Sequence, residues 1–169
     1  MKKIFGAVII LIILGAGYWL ISPLFITRRV EEPLPVLRPQ SAVPGESDSA
    51  SAPTIAPDSL GTQKVAAGIF HDVIAGHHAK GMVNLLKVGS DYYVRFEGDF
   101  EVTNGPDLVV YLGKNNAYDP AAKLDVLKGN AGSQNYLIHP TIDVSRYDEV
   151  WVWCRSFSVP FGAASLKKI

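Results

Sequence analysis

The sequence of 169 residues holds a single cysteine, Cys154. One thiol excludes an intramolecular disulfide, a multi-cysteine zinc cage and an iron–sulfur cluster. There is no Cys-x-x-Cys-His run, so covalent haem attachment is excluded as well. Net charge is also missing, because 16 basic and 16 acidic side chains cancel. Without a basic face the chain cannot displace counterions from phosphates, and sequence-independent nucleic-acid binding is excluded. Neither a Gly-x-Ser-x-Gly elbow for a serine nucleophile nor a Gly-x-x-x-x-Gly-Lys loop for a phosphate occurs.

Hydrophobic residues make up 48% of the chain, and their excess lies at the N-terminus. After Met1-Lys2-Lys3, every residue from Ile4 to Ile21 is apolar or glycine apart from Tyr18. That length falls just inside the roughly 17–25 residues with which a helix crosses a bilayer. Tyr18 and Trp19 sit near its far end, where amphipathic rings favour the headgroup level. Gly15-Ala16-Gly17 would suit a signal peptidase, but apolar residues continue past it through Leu24-Phe25-Ile26. An uncleaved anchor over residues 1–29 is therefore the expectation, with a cleaved signal or a buried soluble helix as competitors. Lys2, Lys3 and the terminal amine outnumber Arg28 and Arg29, which leaves the N-terminus inside and the rest outside the cytoplasm. The expected location is a single-pass protein of the cell membrane.

Residues 30–62 change character, with prolines at 33, 35, 39, 44, 53 and 57 among Ser, Ala, Glu and Asp. So little apolar surface cannot offset the entropy of ordering, and the segment reads as a disordered or polyproline-like tether. Extended at about 3.1 Å per residue, it would reach roughly 100 Å. Residues 63–169 remain as the folded unit.

Short β-rich runs bounded by turn residues fill that unit. Val65–His71, Ala79–Val88, Tyr92–Phe96, Leu108–Leu112, Tyr136–His139, Glu149–Cys154 and Ala163–Leu166 read as strands, with a hairpin at Gly89-Ser90-Asp91. Leu108–Leu112 is apolar throughout, as a central strand would be. An antiparallel β-sandwich of about seven to nine strands is the expected fold. In Val150–Arg155 the period of two places Val150, Val152 and Cys154 on one face. Trp151, Trp153 and Arg155 take the other. Asp107, following Gly105-Pro106, is expected to bond nearby amides and fix a turn. Gly162 is expected to permit a bend or bulge. For Tyr111, Trp151 and Trp153 a core or inter-sheet role is weighed against a ligand-facing aromatic patch.

Asn104-Gly105-Pro106-Asp107-Leu108 followed by Val110-Tyr111-Leu112 resembles the DM-thirteen, or "electron transfer" DM, domain. So do Val152-Trp153-Cys154 with Phe157, Val159, Phe161-Gly162 and Leu166. Gly68-x-Phe70 with His77 and Gly81, and Gly132-x-Gln134-x-Tyr136, match the same pattern in order across residues 65–167. Domains of this kind occur in extracellular animal proteins beside DOMON and cytochrome b-type modules. The resemblance implies a redox centre at Cys154, either a bare thiol or a ligand to a prosthetic group. With no such module attached, it also implies a separate redox protein as partner.

A redox thiol needs partial exposure and a neighbouring cation or histidine. Arg155 projects to the opposite face, so His77 is the candidate to approach Cys154 from another strand; a solvent-facing turn residue is its competing reading. Without a second cysteine, any cycle would use an external thiol or pass through a sulfenic acid. Copper or zinc held by Cys154 with His71, His77 or His139, and haem on the Cys154 thiolate, are further possibilities of lower rank. Two function classes follow. One is a membrane-tethered extracytoplasmic redox domain centred on Cys154. The other is a non-catalytic cell-surface interaction or ligand-binding module, with the cysteine as a small core hydrophobe.

Overall fold

The computed structural model describes residues 27–37 and 61–169. The apolar run 4–21 lies outside them, and no helix among the described residues is long and apolar enough to cross a membrane. Among the described residues eleven strands follow in order: β1 Thr62–Ile69, β2 Ala79–Lys80, β3 Met82–Val88, β4 Asp91–Phe96, β5 Glu101–Val102, β6 Leu108–Lys114, β7 Ala117–Val126, β8 Gln134–Ile138, β9 Glu149–Cys154, β10 Val159–Ser165 and β11 Lys167–Lys168. One sheet has the order β11-β1-β3-β4-β8, a second β10-β9-β6-β7, and β2 pairs with β5. Every pairing between strands is antiparallel. The all-β expectation holds, with more strands than the seven to nine anticipated.

The additional strands have local causes. The run Ala79–Val88 is split at Gly81, whose φ of +103° only glycine adopts without strain, and a side chain there would meet the Phe100 backbone. Edge strand β7 carries Pro120 and alternating charges, so it lacks an apolar signature. Its turn from β6 is made by Asn115 and Asn116, both with positive φ, as a tight hairpin requires. At Gly162 the β9–β10 register shifts, so the expected bulge is present.

The main core lies between the two large sheets. Val83, Leu85, Val94, Phe96 and Ile138 meet Leu108, Val110, Leu112, Val150 and Val152, with Phe70, Phe100 and Phe161 filling one end. Gln134 and Tyr136 are buried and mutually satisfied. The Tyr136 hydroxyl donates to Gln134 Oε1 at 2.7 Å, and the Gln134 amide exchanges bonds with the Gly129 backbone at 2.8 and 3.0 Å. Burial pushes the Tyr136 phenol far above its ordinary range.

Residues 30–37, expected to belong to a free tether, instead run as a strap along the domain. Val30 N donates to Ala131 O and Glu32 N to Ser133 O, each at 2.9 Å, in the spacing of a parallel strand addition. Glu32 accepts from Lys128 Nζ at 2.8 Å and from Asn135 N at 2.8 Å. Buried Arg95 donates to Glu32 O and Pro33 O. Thr62 Oγ1 donates to Pro35 O at 2.8 Å, and Leu37 lies against Gly61 and Gly89. Composition missed this because the strap draws its order from unpaired groups on the rest of the domain and not from a core of its own. The remainder of the expected tether, residues 38–60, lies outside the described residues.

Candidate functional site

Strand β9 alternates as its sequence predicts. Val150, Val152 and Cys154 enter the inter-sheet core, while Trp151 and Trp153 lie on the outer face. Cys154 stands opposite Leu108 on β6 and Val159 on β10, at 0% exposure. Its thiol is free and sealed among apolar side chains. A reactive thiolate requires access and stabilisation of its charge, and this sulfur has no access to solvent.

His77 does not reach it as an activating base. Its ring stacks on Phe161 with centroids 3.8 Å apart, and its buried Nδ1 has no hydrogen-bond partner. The other histidines are dispersed. His71 is exposed beside its backbone bridge to Ala163, and His139 bonds Thr141 Oγ1 at 2.8 Å. Among the described residues no group of three or more His, Cys, Asp or Glu is placed to hold a metal. The set of Cys154 with His71, His77 and His139 is thus not assembled. Haem on Cys154 does not fit either, because the sulfur lies inside the packed core and lines neither of the two cavities described below.

Asp107 departs from its expected role. Its carboxylate forks with the Arg155 guanidinium at 2.8 and 2.9 Å and so joins the β5–β6 loop to the end of β9. This bond raises the guanidinium pKa further. The outer-face aromatics are neither inter-sheet nor a bare patch. Tyr111 and Trp151 are buried in a second small cluster with Val109 and Ala163, and Trp153 is half-buried against Tyr118 with centroids 4.3 Å apart. Glu149, itself buried, anchors Trp151 Nε1 at 2.8 Å and the Asn116 amide at 2.8 Å.

Two features escaped the sequence reading. Asp72 accepts from Ala79 N and pairs with His78 Nδ1, both at 2.8 Å, beside a shallow groove formed by Lys80, Glu101 and Thr103. The Ala79 amide and then His78 hold the Asp72 carboxyl below its usual range. The second feature is a cavity of about 530 Å³ at the Ser90 end of the first sheet, between that sheet and the segment 139–148. Val65, Leu85, Tyr92, Ile138, Ile142 and Tyr147 form its apolar walls, and Asp91, His139, Asp148 and Lys168 stand among its polar groups. Its size matches sites that take small molecules, which span about 300–1,000 Å³. Only the alternating apolar pattern could have hinted at it, because its walls come from five separate stretches of chain.

The family model described as Electron transfer DM13 matches residues 73–166, more than half the chain. The chain belongs to the Electron transfer DM13 family. The DM13 match covers Cys154, His77, Asp107 and the β9–β10 hairpin, and leaves the strap, β1 and the cavity wall at Val65 outside it. Neither a curated protein nor a solved structure matches the chain.

Proposed function

We propose that this DM13 domain is a membrane-tethered, extracytoplasmic binding module that serves electron transfer by holding a small apolar ligand, with Cys154 as part of its core. The observation that carries the reading is the apolar cavity of about 530 Å³ at the Gly89-Ser90 end, remote from a thiol that has no exposure. An apolar lining with a few converging polar groups is the usual form of a small-molecule site. Support for the tether comes from sequence: the apolar run Ile4–Ile21 with its flanking lysines and aromatic pair. A redox protein is the proposed partner, in keeping with the family's description as an electron-transfer domain.

The test is titration with Nile red, a neutral apolar dye, in the presence of the native chain. Fluorescence should rise on binding, and Ile142→Trp, which fills the cavity, should weaken that binding at least roughly tenfold while leaving the thermal transition in place. No enhancement, or enhancement indifferent to Ile142→Trp, refutes the cavity as the site.

Electron transfer through the Cys154 thiol is the second reading; the family's description names electron transfer but no residue. It requires a reducible species or chromophore in the purified protein. An absorption spectrum blank above about 300 nm, read beside metal analysis and the absence of native thiol reactivity, removes it.

A further inference from the structure

The strap alters how a membrane anchor would hold this domain. Read from composition, residues 30–62 would be a leash of roughly 100 Å. In the structure the chain is already fastened at Arg28, whose carbonyl accepts from Ala131 N at 3.3 Å. Arg29 follows with a bridge to Ala131 and a bond from Nη2 to Gly98 O at 2.8 Å. Ile26, the last residue of the apolar sequence, lies two residues before Arg28 and therefore at most about 7 Å away. Even counted from Ile21 the separation is at most about 25 Å.

From there the strap travels the length of the first sheet. It begins beside Gly98 and ends with Leu37 against Gly61 and Gly89, at the opposite end of β3 and β4. Residues 38–60 thus connect two neighbouring points, Leu37 and Gly61, and do not intervene between anchor and domain. The end near Arg28 also carries apolar surface. Ile69 and Met82 are paired in register and are 69% and 50% exposed, and Met82 N donates to Asp99 beside Gly98. Exposed aliphatic groups beside Arg28 and Arg29, the latter ion-paired with Glu31 at 2.7 Å, suit the boundary between acyl chains and headgroups.

We infer that the end of the domain bearing Arg28, Arg29, Ile69, Met82 and Gly98 lies directly against a lipid headgroup surface, which points the cavity at Ser90 away from the membrane. This rests on the proposed membrane anchor. The orientation makes the cavity open toward the aqueous side, where a soluble partner or ligand arrives.

The experiment uses the full chain in vesicles of phosphatidylcholine and phosphatidylglycerol containing a lipid with a headgroup nitroxide quencher. A fluorophore is placed at Gly98→Cys or at Ser90→Cys in a Cys154→Ala background. Both sites are exposed, and a side chain at Gly98 meets nothing within 4 Å. If the Cys154→Ala chain lacks a thermal transition, the same labels are introduced with the sealed Cys154 retained. The Gly98 label should be quenched several-fold more than the Ser90 label. A chain that fails to float with the vesicles overturns the anchor itself. A chain that floats but shows equal quenching at the two positions leaves the anchor standing and overturns this orientation.

Discussion

Replacing Cys154 with serine distinguishes a sealed core sulfur from a working thiol. Both side chains have nearly the same shape, so little packing is lost, and the change is chiefly one of hydrogen-bonding demand. Cys154 has no exposure and stands between Leu108 and Val159 in an apolar cluster. A hydroxyl buried there without a partner costs about 1–3 kcal/mol. Cys154→Ala removes one sulfur and leaves a small void, a loss of roughly 1 kcal/mol. Serine should therefore destabilise at least as much as alanine, an order that reverses at a polar or exposed site. Urea denaturation followed by tryptophan fluorescence gives both values. Alkylation of the native thiol supplies the second readout. If the sulfur reacts only through unfolding, a stability of about 5 kcal/mol or more suppresses the rate by at least roughly 10³-fold relative to the unfolded chain. Native alkylation at the rate of a free thiol at pH 7, or a serine variant as stable as the wild type, refutes the sealed core.

Two further outcomes follow from the packing. Trp153→Ala should cost about 1–3 kcal/mol, below the 3–5 kcal/mol of a fully buried large aromatic, because Trp153 is half-buried against Tyr118 on the outer face; a loss above 4 kcal/mol in chemical denaturation contradicts that placement. Glu32→Ala should cost about 1–2 kcal/mol, since the charged bonds it removes are partly exposed, with side-chain exposures of 35% for Lys128 and 30% for Glu32. Burial raises the Glu32 pKa, but the bonds from Lys128 and Asn135 outweigh it and the net shift is downward. A carboxylate with a lowered folded pKa stabilises above its unfolded pKa near 4, and that contribution disappears as pH falls through the folded value. The strap should accordingly loosen below about pH 4, read as increased protease cleavage near residues 30–37 in wild type that is already present at neutral pH in Glu32→Ala. Equal cleavage of the two chains at pH 7 counts against the strap.

The alternation Val150–Arg155 was legible in the sequence because a strand's period of two assigns faces without reference to any other part of the chain. The all-β class, the bulge at Gly162 and the hairpin at Gly89-Ser90 follow from equally local chemistry. The family motifs were legible for the same reason, since they are runs and spacings of residue types. What each face meets is not local. Tertiary structure alone decided that Trp153 looks outward, that Asp107 takes Arg155 and not a turn amide, and that His77 stacks on Phe161 instead of approaching Cys154. The strap is the clearest case. Residues 30–37 have the composition of free chain, yet Arg95, Lys128, Ser133 and Asn135 sit more than 60 residues further along and provide the partners that order them. Composition reports the apolar surface a segment can bury by itself, whereas hydrogen-bonding partners from distant strands appear only when the sheet has formed.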